Sequence, residues 1–227
     1  VAISKLVITI DGPAGAGKTT VSRTLAERLG YRYVDTGALY RAVAYAAKHQ
    51  GVRADDDAAL EALCCGLDLK FVSTKSGQRL LSGEVDITDL IRTPEITMLA
   101  SAVSARPAVR AYLLNVQRDM GRQKGVVFEG RDMGTVVFPD AEMKFFLDAN
   151  IEVRAHRRYL QQQAVASQKP EEVENQMRRR DQNDSTRDLA PLRPAADAVV
   201  IDSTDLSAEE VIECMLTHIY AGDVPGG

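Results

Sequence analysis

The chain has 227 residues, 45% of them hydrophobic and 26% charged, with a net charge of −4, which suits one domain carrying a small insert and a real core. No uncharged apolar run approaches the roughly 18 residues of a membrane span. The acidic balance, with no aromatic residues interleaved among the arginines, argues against nucleic acid as a partner. The three cysteines, Cys64, Cys65 and Cys214, lack metal-ligand spacing and read as reduced thiols of a cytoplasmic protein.

Leu6-Val-Ile-Thr-Ile10 is a short, β-branched apolar run of the kind a buried parallel strand shows. A glycine-rich turn follows, and a helix is predicted from Lys18, with Val21, Leu25 and Leu29 on one face and Gly30 as its stop. Tyr31-Arg-Tyr-Val34 reads as a second strand, and Asp35-Thr36-Gly37 opens a helix over Ala38 to Lys48. From Leu67 to Ile87 the alternation of Leu67, Leu69 and Phe71 with polar residues, and the turn pairs Ser76-Gly77 and Ser82-Gly83, predict a small antiparallel meander. It is read as an insert, about residues 63–93.

Thr93-Pro94 supplies an N-cap and a first-turn proline, ahead of a stripe of Ile96, Leu99, Ala100 and Val103. Pro107 starts a further helix with Val109, Tyr112, Leu113, Val116 and Met120 facing inward. Val126 to Phe128 and Met143 to Leu147 are read as buried strands, with helices over Ile151–Gln163 and Glu171–Arg180. Ala198-Val-Val-Ile201 is a last strand, and Ser207-Ala-Glu-Glu210 is a capping box for the last helix. This alternation predicts an α/β fold: a P-loop three-layer αβα arrangement with a central parallel sheet, the antiparallel β insert, and a short polar lid at about 157–170.

Gly12-Pro13-Ala14-Gly15-Ala16-Gly17-Lys18-Thr19 matches G-x-x-x-x-G-K-[ST] at every required position, with a strand before it and a helix after. Glycines let successive N–H groups converge on phosphate oxygens, and the following helix points its positive end there. Lys18 adds a mobile charge for the β- and γ-oxygens, and the Thr19 hydroxyl is placed to ligate Mg²⁺; Thr20 completes the ATP side. A chance glycine turn is the plainer alternative, but the strand–turn–helix context disfavours it. A GTPase would need an N-K-x-D base reader, which the chain lacks, and its only D-x-x-G is Asp223-Val-Pro-Gly226 in the tail. At this length a kinase of a small acceptor is favoured over a motor.

Three further stretches suit the acceptor. Asp35-Thr36-Gly-Ala-Leu-Tyr40-Arg41 opens a helix after a strand, although a capped helix with a solvated arginine explains it too. Gly130-Arg131-Asp132-Met-Gly134 follows a buried strand, where ligands of open α/β sheets bind; a turn stapled by its own ion pair is the alternative. Arg154, Arg157 and Arg158 share one helix face, and Arg178 to Arg187 brings four more arginines. Phosphoryl transfer explains such a concentration, because its catalysis is mostly positioning and charge neutralisation; some of these arginines belong to solvated faces with their own acidic partners.

Together these stretches, with Arg154-Ala-His-Arg-Arg158, Ala190-Pro-Leu192 and Ala195-Ala-Asp197, closely resemble the bacterial cytidylate kinases, which phosphorylate CMP and dCMP with ATP. The resemblance spans most of the chain and includes the meander as an acceptor-side insert. It implies that Thr36 (often serine in the family), Arg41 and Arg131 hold the acceptor phosphate, within a CMP site that also takes in Asp35 and Tyr40. Ser101, Arg110 and Asp132 would read the base, Arg180 and Asp184 the ribose, and Arg187 would approach the phosphates. Arg157 falls to the ATP side. Lys18, Arg131, Arg180, Arg187 and Mg²⁺ would share the transition-state charge. Small-molecule partners and a monomer follow as expectations. A kinase of another acceptor and a non-catalytic nucleotide-binding regulator are the rival readings.

Overall fold

The computed structural model describes residues 5–74, 77–162 and 169–222. The central part of the predicted lid and the tail with its D-x-x-G lie outside the described residues. The chain forms two compact units, Val1–Val34 with Gln123–Gly227, and Asp35–Arg122.

The first unit is built on a five-stranded parallel sheet of order β2-β6-β1-β7-β8. Its strands are β1 (Val7–Asp11), β2 (Arg32–Asp35), β6 (Val126–Glu129), β7 (Met143–Asp148) and β8 (Val199–Asp202). β1 and β6 are buried at every residue, as strands covered on both faces must be. In register, Ile10 faces Glu129 on one side and Phe145 on the other. The carboxyl ends of the two central strands, Asp11 and Glu129, therefore lie side by side where the P-loop begins.

Helix α1 (Lys18–Leu29) lays Val21 and Leu25 on Ile8, Ile10, Phe145 and Leu147. The last helix, α8 (Ala208–Ala221), adds Ile212 and Met215 to the same core and starts in the predicted capping box, Ser207 with Glu210. Helices α6 (Ile151–Gln162) and α7 (Pro170–Thr186) pack on each other through Ala155, Val173 and Met177.

The second unit holds α2 (Thr36–His49), α3 (Asp57–Cys65), the antiparallel sheet β3 (Leu69–Thr74), β4 (Gly77–Ser82) and β5 (Val85–Asp86), then α4 (Pro94–Val103) and α5 (Pro107–Gly121). Leu39, Val43, Leu60, Leu80, Ile91 and Leu113 form its core. The meander is a separate sheet, as the turn signals indicate.

Helices α3 and α7 differ from the sequence reading. Helix α3 was not expected; it is capped by the Asp56 side chain, which accepts from Ala59 N, and buries Leu60, Leu63 and Cys64. Helix α7 runs to Thr186 instead of ending at Arg180. Its last turns contain Asp181, Asn183 and Asp184, poor helix formers. Ion pairs of Asp181 with Arg154 and of Asp184 with Arg131 hold them in place.

Candidate active site

The P-loop conformation is set by close approach. Gly12 leaves β1 at φ 146, and a Cβ there would lie 2.0 Å from the Leu147 carbonyl oxygen. Gly15, at φ 77, would place a Cβ 2.7 Å from the Arg154 carbonyl oxygen and 2.8 Å from Met177 Cε. No other residue type fits either position. Gly17 precedes α1 and offers no side chain to cap it, which leaves the first-turn N–H groups to be satisfied by an anion.

Lys18 is 4% exposed, and its Nζ donates to the Pro13 carbonyl oxygen at 2.6 Å. Burial, then the charges of Arg131 and Arg180, lower its ammonium to about 7, against the pull of Glu129 and Asp11. Thr19 Oγ1 donates to Glu129 Oε1 at 2.9 Å, and Tyr33 Oη donates to the other oxygen at 2.6 Å. A hydroxyl and a carboxylate at this point are hard oxygen donors, the kind Mg²⁺ takes when substrate phosphates supply further ligands. Among the described residues there is no cluster of three or more His, Cys, Asp or Glu that could bind a metal without them.

Beside the P-loop, β6 ends and the chain enters Gly130-Arg131-Asp132 and a π-helical turn, Met133–Val137. Asp11 accepts from the N–H groups of Met133 (2.9 Å) and Gly134 (2.8 Å). Arg131 Nε donates to Asp184 Oδ2 at 3.1 Å. Arg187 Nη2 lies 3.7 Å from Asp132 Oδ1, and its Nε donates to the Ala190 carbonyl oxygen at 2.7 Å. Asp132 and Asp184 are both buried, so each carboxylate is held against an arginine in a poorly solvated setting. Arg180, half-buried on α7, is close enough to lower the proton affinity of Lys18.

The predicted arginine face of α6 divides. Arg154 is buried, and its guanidinium joins three elements: Nε donates to the Ala149 carbonyl oxygen (2.7 Å), and Nη1 to the Ala14 carbonyl oxygen (3.1 Å) and to Asp181 Oδ2 (2.6 Å). It braces the P-loop. Arg157 donates to Ser203 Oγ (3.2 Å) and to the Ser203 carbonyl oxygen (2.8 Å), while Ser203 Oγ donates to the Ala16 carbonyl oxygen at 3.3 Å. One residue links Arg157 to the loop.

In the second unit, Asp35 caps α2 by accepting from Ala38 N at 3.2 Å, and Arg41 Nη2 donates to its other oxygen at 2.8 Å. Thr36 is buried at the first turn. The Arg110 guanidinium lies 5.7 Å from the Tyr40 ring centre, and its Nη1 donates to the Ser104 carbonyl oxygen at 3.1 Å. Ser101 lies one turn before Ser104 on α4, and its carbonyl oxygen accepts from Ser104 Oγ at 2.8 Å.

The model of the cytidylate kinase family matches residues 8–221. The chain belongs to the cytidylate kinase family. Similar curated proteins include the cytidylate kinase of Geobacter sulfurreducens, 52% identical over 211 residues, with 92% of this chain and 91% of that protein covered. The cytidylate kinase of Methylococcus capsulatus is 50% identical over 220 residues, covering 95% and 97%. Among solved structures, shikimate kinase from Acinetobacter baumannii in complex with shikimate superposes with a TM-score of 0.50 at 19% identity, covering 96% of this chain and 94% of that one. An uncharacterised protein from Eubacterium ventriosum reaches 0.54 at 13%, covering 96% and 99%. At such identities these two speak for the fold alone.

Three residues of the site were not given roles by sequence reasoning: Asp11, Glu129 and Arg154. The first two carried a signal, since each is the acidic last residue of a mostly apolar strand. Arg154 carried none that separates it from Arg157 and Arg158, because helix spacing alone does not say which side faces the P-loop.

Proposed function

We propose that the chain transfers the γ-phosphoryl group of ATP to CMP or dCMP, giving ADP and CDP or dCDP. The observation that carries this reading is the placement of two arginine–carboxylate pairs, Arg131 with Asp184 and Arg187 with Asp132, in the same unit as a complete P-loop. Family membership agrees with it.

On this reading the P-loop N–H groups and Lys18 hold the β- and γ-phosphates of ATP, with Arg157 on the same side. Thr19, with Glu129 beside it, would hold Mg²⁺, which would supply charge neutralisation at the phosphates. Thr36, Arg41 and Arg131 hold the acceptor phosphate. Asp132 accepts from the cytosine N4 amino group while Arg110, with Ser101, donates to the ring acceptors. Arg180 and Asp184 hold the ribose. The acceptor phosphate is already an oxyanion near neutral pH, so the reaction needs no general base. Arg131, Arg180, Arg187 and Lys18 stabilise the charge that spreads over the transferred group.

Uracil carries a carbonyl where cytosine has its amino group, and it would meet Asp132 acceptor to acceptor. A site built for a donor rejects such an analogue strongly. A coupled assay of ADP release with CMP, dCMP, UMP and AMP tests this. CMP and dCMP are expected to lead by at least about a hundredfold in kcat/KM; equal rates with UMP would remove Asp132 from base recognition.

A further inference from the structure

Asp11 stands at the end of the strand that feeds the P-loop, and it takes no part in the chemistry described above. It is 4% exposed, in a strand whose other residues are buried and mostly apolar. A carboxylate there is costly unless its oxygens are used. Both are used, and both go to the acceptor turn: Oδ1 accepts from Met133 N at 2.9 Å and Oδ2 from Gly134 N at 2.8 Å.

The turn these bonds hold is the one that presents Asp132. The Asp132 carbonyl oxygen accepts from Val136 N at 3.0 Å and Val137 N at 3.2 Å. The two N–H groups that follow Asp132 in the chain, those of Met133 and Gly134, donate to Asp11. The turn is also pressed onto the sheet, because a Cβ on Gly134 would lie 3.0 Å from Thr9 Oγ1 and 3.2 Å from Lys144 Cδ. Asp132 therefore has its backbone restrained from both sides, and its direction depends on where Met133 and Gly134 are held.

We propose that Asp11 is a positioning residue for base recognition: by clamping Met133 N and Gly134 N it sets the direction of the Asp132 carboxylate, and it ties the acceptor turn to the root of the P-loop. This inference rests on the cytidine reading of Asp132 above. Two acceptor oxygens are required, since an asparagine would turn an amide N–H toward one of the two donors. Burial raises the Asp11 carboxyl to about 6 against the two N–H bonds that lower it, with Asp132 also raising it and Lys18 lowering it, so it is mainly ionised and acceptor-only at neutral pH.

The test uses Asp11→Asn and Asp11→Ser beside the wild type. The KM for ATP is expected to stay within about threefold, while the KM for CMP rises about tenfold or more and the CMP-to-UMP ratio of kcat/KM falls about tenfold or more, the scale of an orphaned buried donor. A residue that merely supports the fold would depress all acceptors alike and leave that ratio unchanged. A selective wild type whose ratio survives both substitutions overturns this proposal alone. A wild type with no preference for CMP over UMP overturns the acceptor reading and this inference with it. Amide hydrogen exchange on the wild type stands whether or not the variants fold: Met133 and Gly134 are expected to exchange slowly, and exchange as fast as in an exposed loop would show that the clamp does not exist.

Discussion

A lysine ammonium buried beside two guanidinium groups gives up its proton far more easily than one in water. Lys18 is in that position, lowered from 10.5 to about 7 by burial and by Arg131 and Arg180. An unfolded chain would keep this proton up to about 10.5, so between about 7 and 10.5 the unfolded state binds more protons and stability rises with pH. Below about 7 the cost of the buried charge is present in full. Triphosphate oxygens reverse the balance by favouring the charged form. At pH 8 the free site is mostly neutral, and binding of ATP is expected to take up close to about one proton. Calorimetry in buffers of different ionisation enthalpy reads that uptake directly; Lys18→Met should abolish it, and uptake that persists in the variant would assign the proton elsewhere. The motif spacing marks Lys18 in the sequence as a phosphate-binding candidate. It did not reveal the shifted ionisation, because Arg131 and Arg180 are remote in the chain and reach Lys18 only through folding.

Among the elements, α7 shows how far local rules reach. Caps that depend on a few consecutive residues were legible: Thr93 accepts from Ile96 N at 3.2 Å, and Ser207 exchanges bonds with Glu210, both as the residue types indicate. The C-terminal extent of α7 was not legible, since its last turns are kept helical by Arg154 and Arg131 from other elements. Arg154 is the more telling of the two, for it joins α7 to the P-loop at Ala14. Removing it leaves Asp181 facing a partly buried space and frees the loop. Arg154→Met is expected to lower the unfolding free energy by on the order of 3 kcal/mol. Lysine should not restore it, because an ammonium cannot reproduce the guanidinium's spread of donors across three acceptors. In urea denaturation, a double-mutant cycle with Asp181→Asn should show coupling above about 1 kcal/mol; additive effects would mean that the pair contributes no stability of its own.

For the whole molecule, each compact unit has its own core, one built on the parallel sheet and one on helices with the meander. Leu113 is fully buried in the second core, while Met98, on the neighbouring α4, is 71% exposed. Leu113→Ala is expected to cost about 2–5 kcal/mol of unfolding free energy, and Met98→Ala less than about 0.5 kcal/mol. Equal losses in chemical denaturation would contradict this packing. No helix among the described residues is long and apolar enough to cross a membrane. The sequence by itself determined the fold class, the P-loop and the separate antiparallel meander, because these rest on patterns within a few consecutive residues: glycines where the backbone must curl, apolar periods, capping side chains. The family was legible through the resemblance of whole motif runs such as Asp35–Arg41 and Gly130–Gly134. Tertiary structure alone decided which remote groups meet around the P-loop. Thr19 and Glu129 are 110 positions apart, and Asp11 lies 122 and 123 positions from the two N–H groups it holds. Those contacts follow from the strand order β6-β1-β7, which places remote strand ends together. The partners of Asp11, Glu129 and Arg154 could therefore be read only from the folded chain.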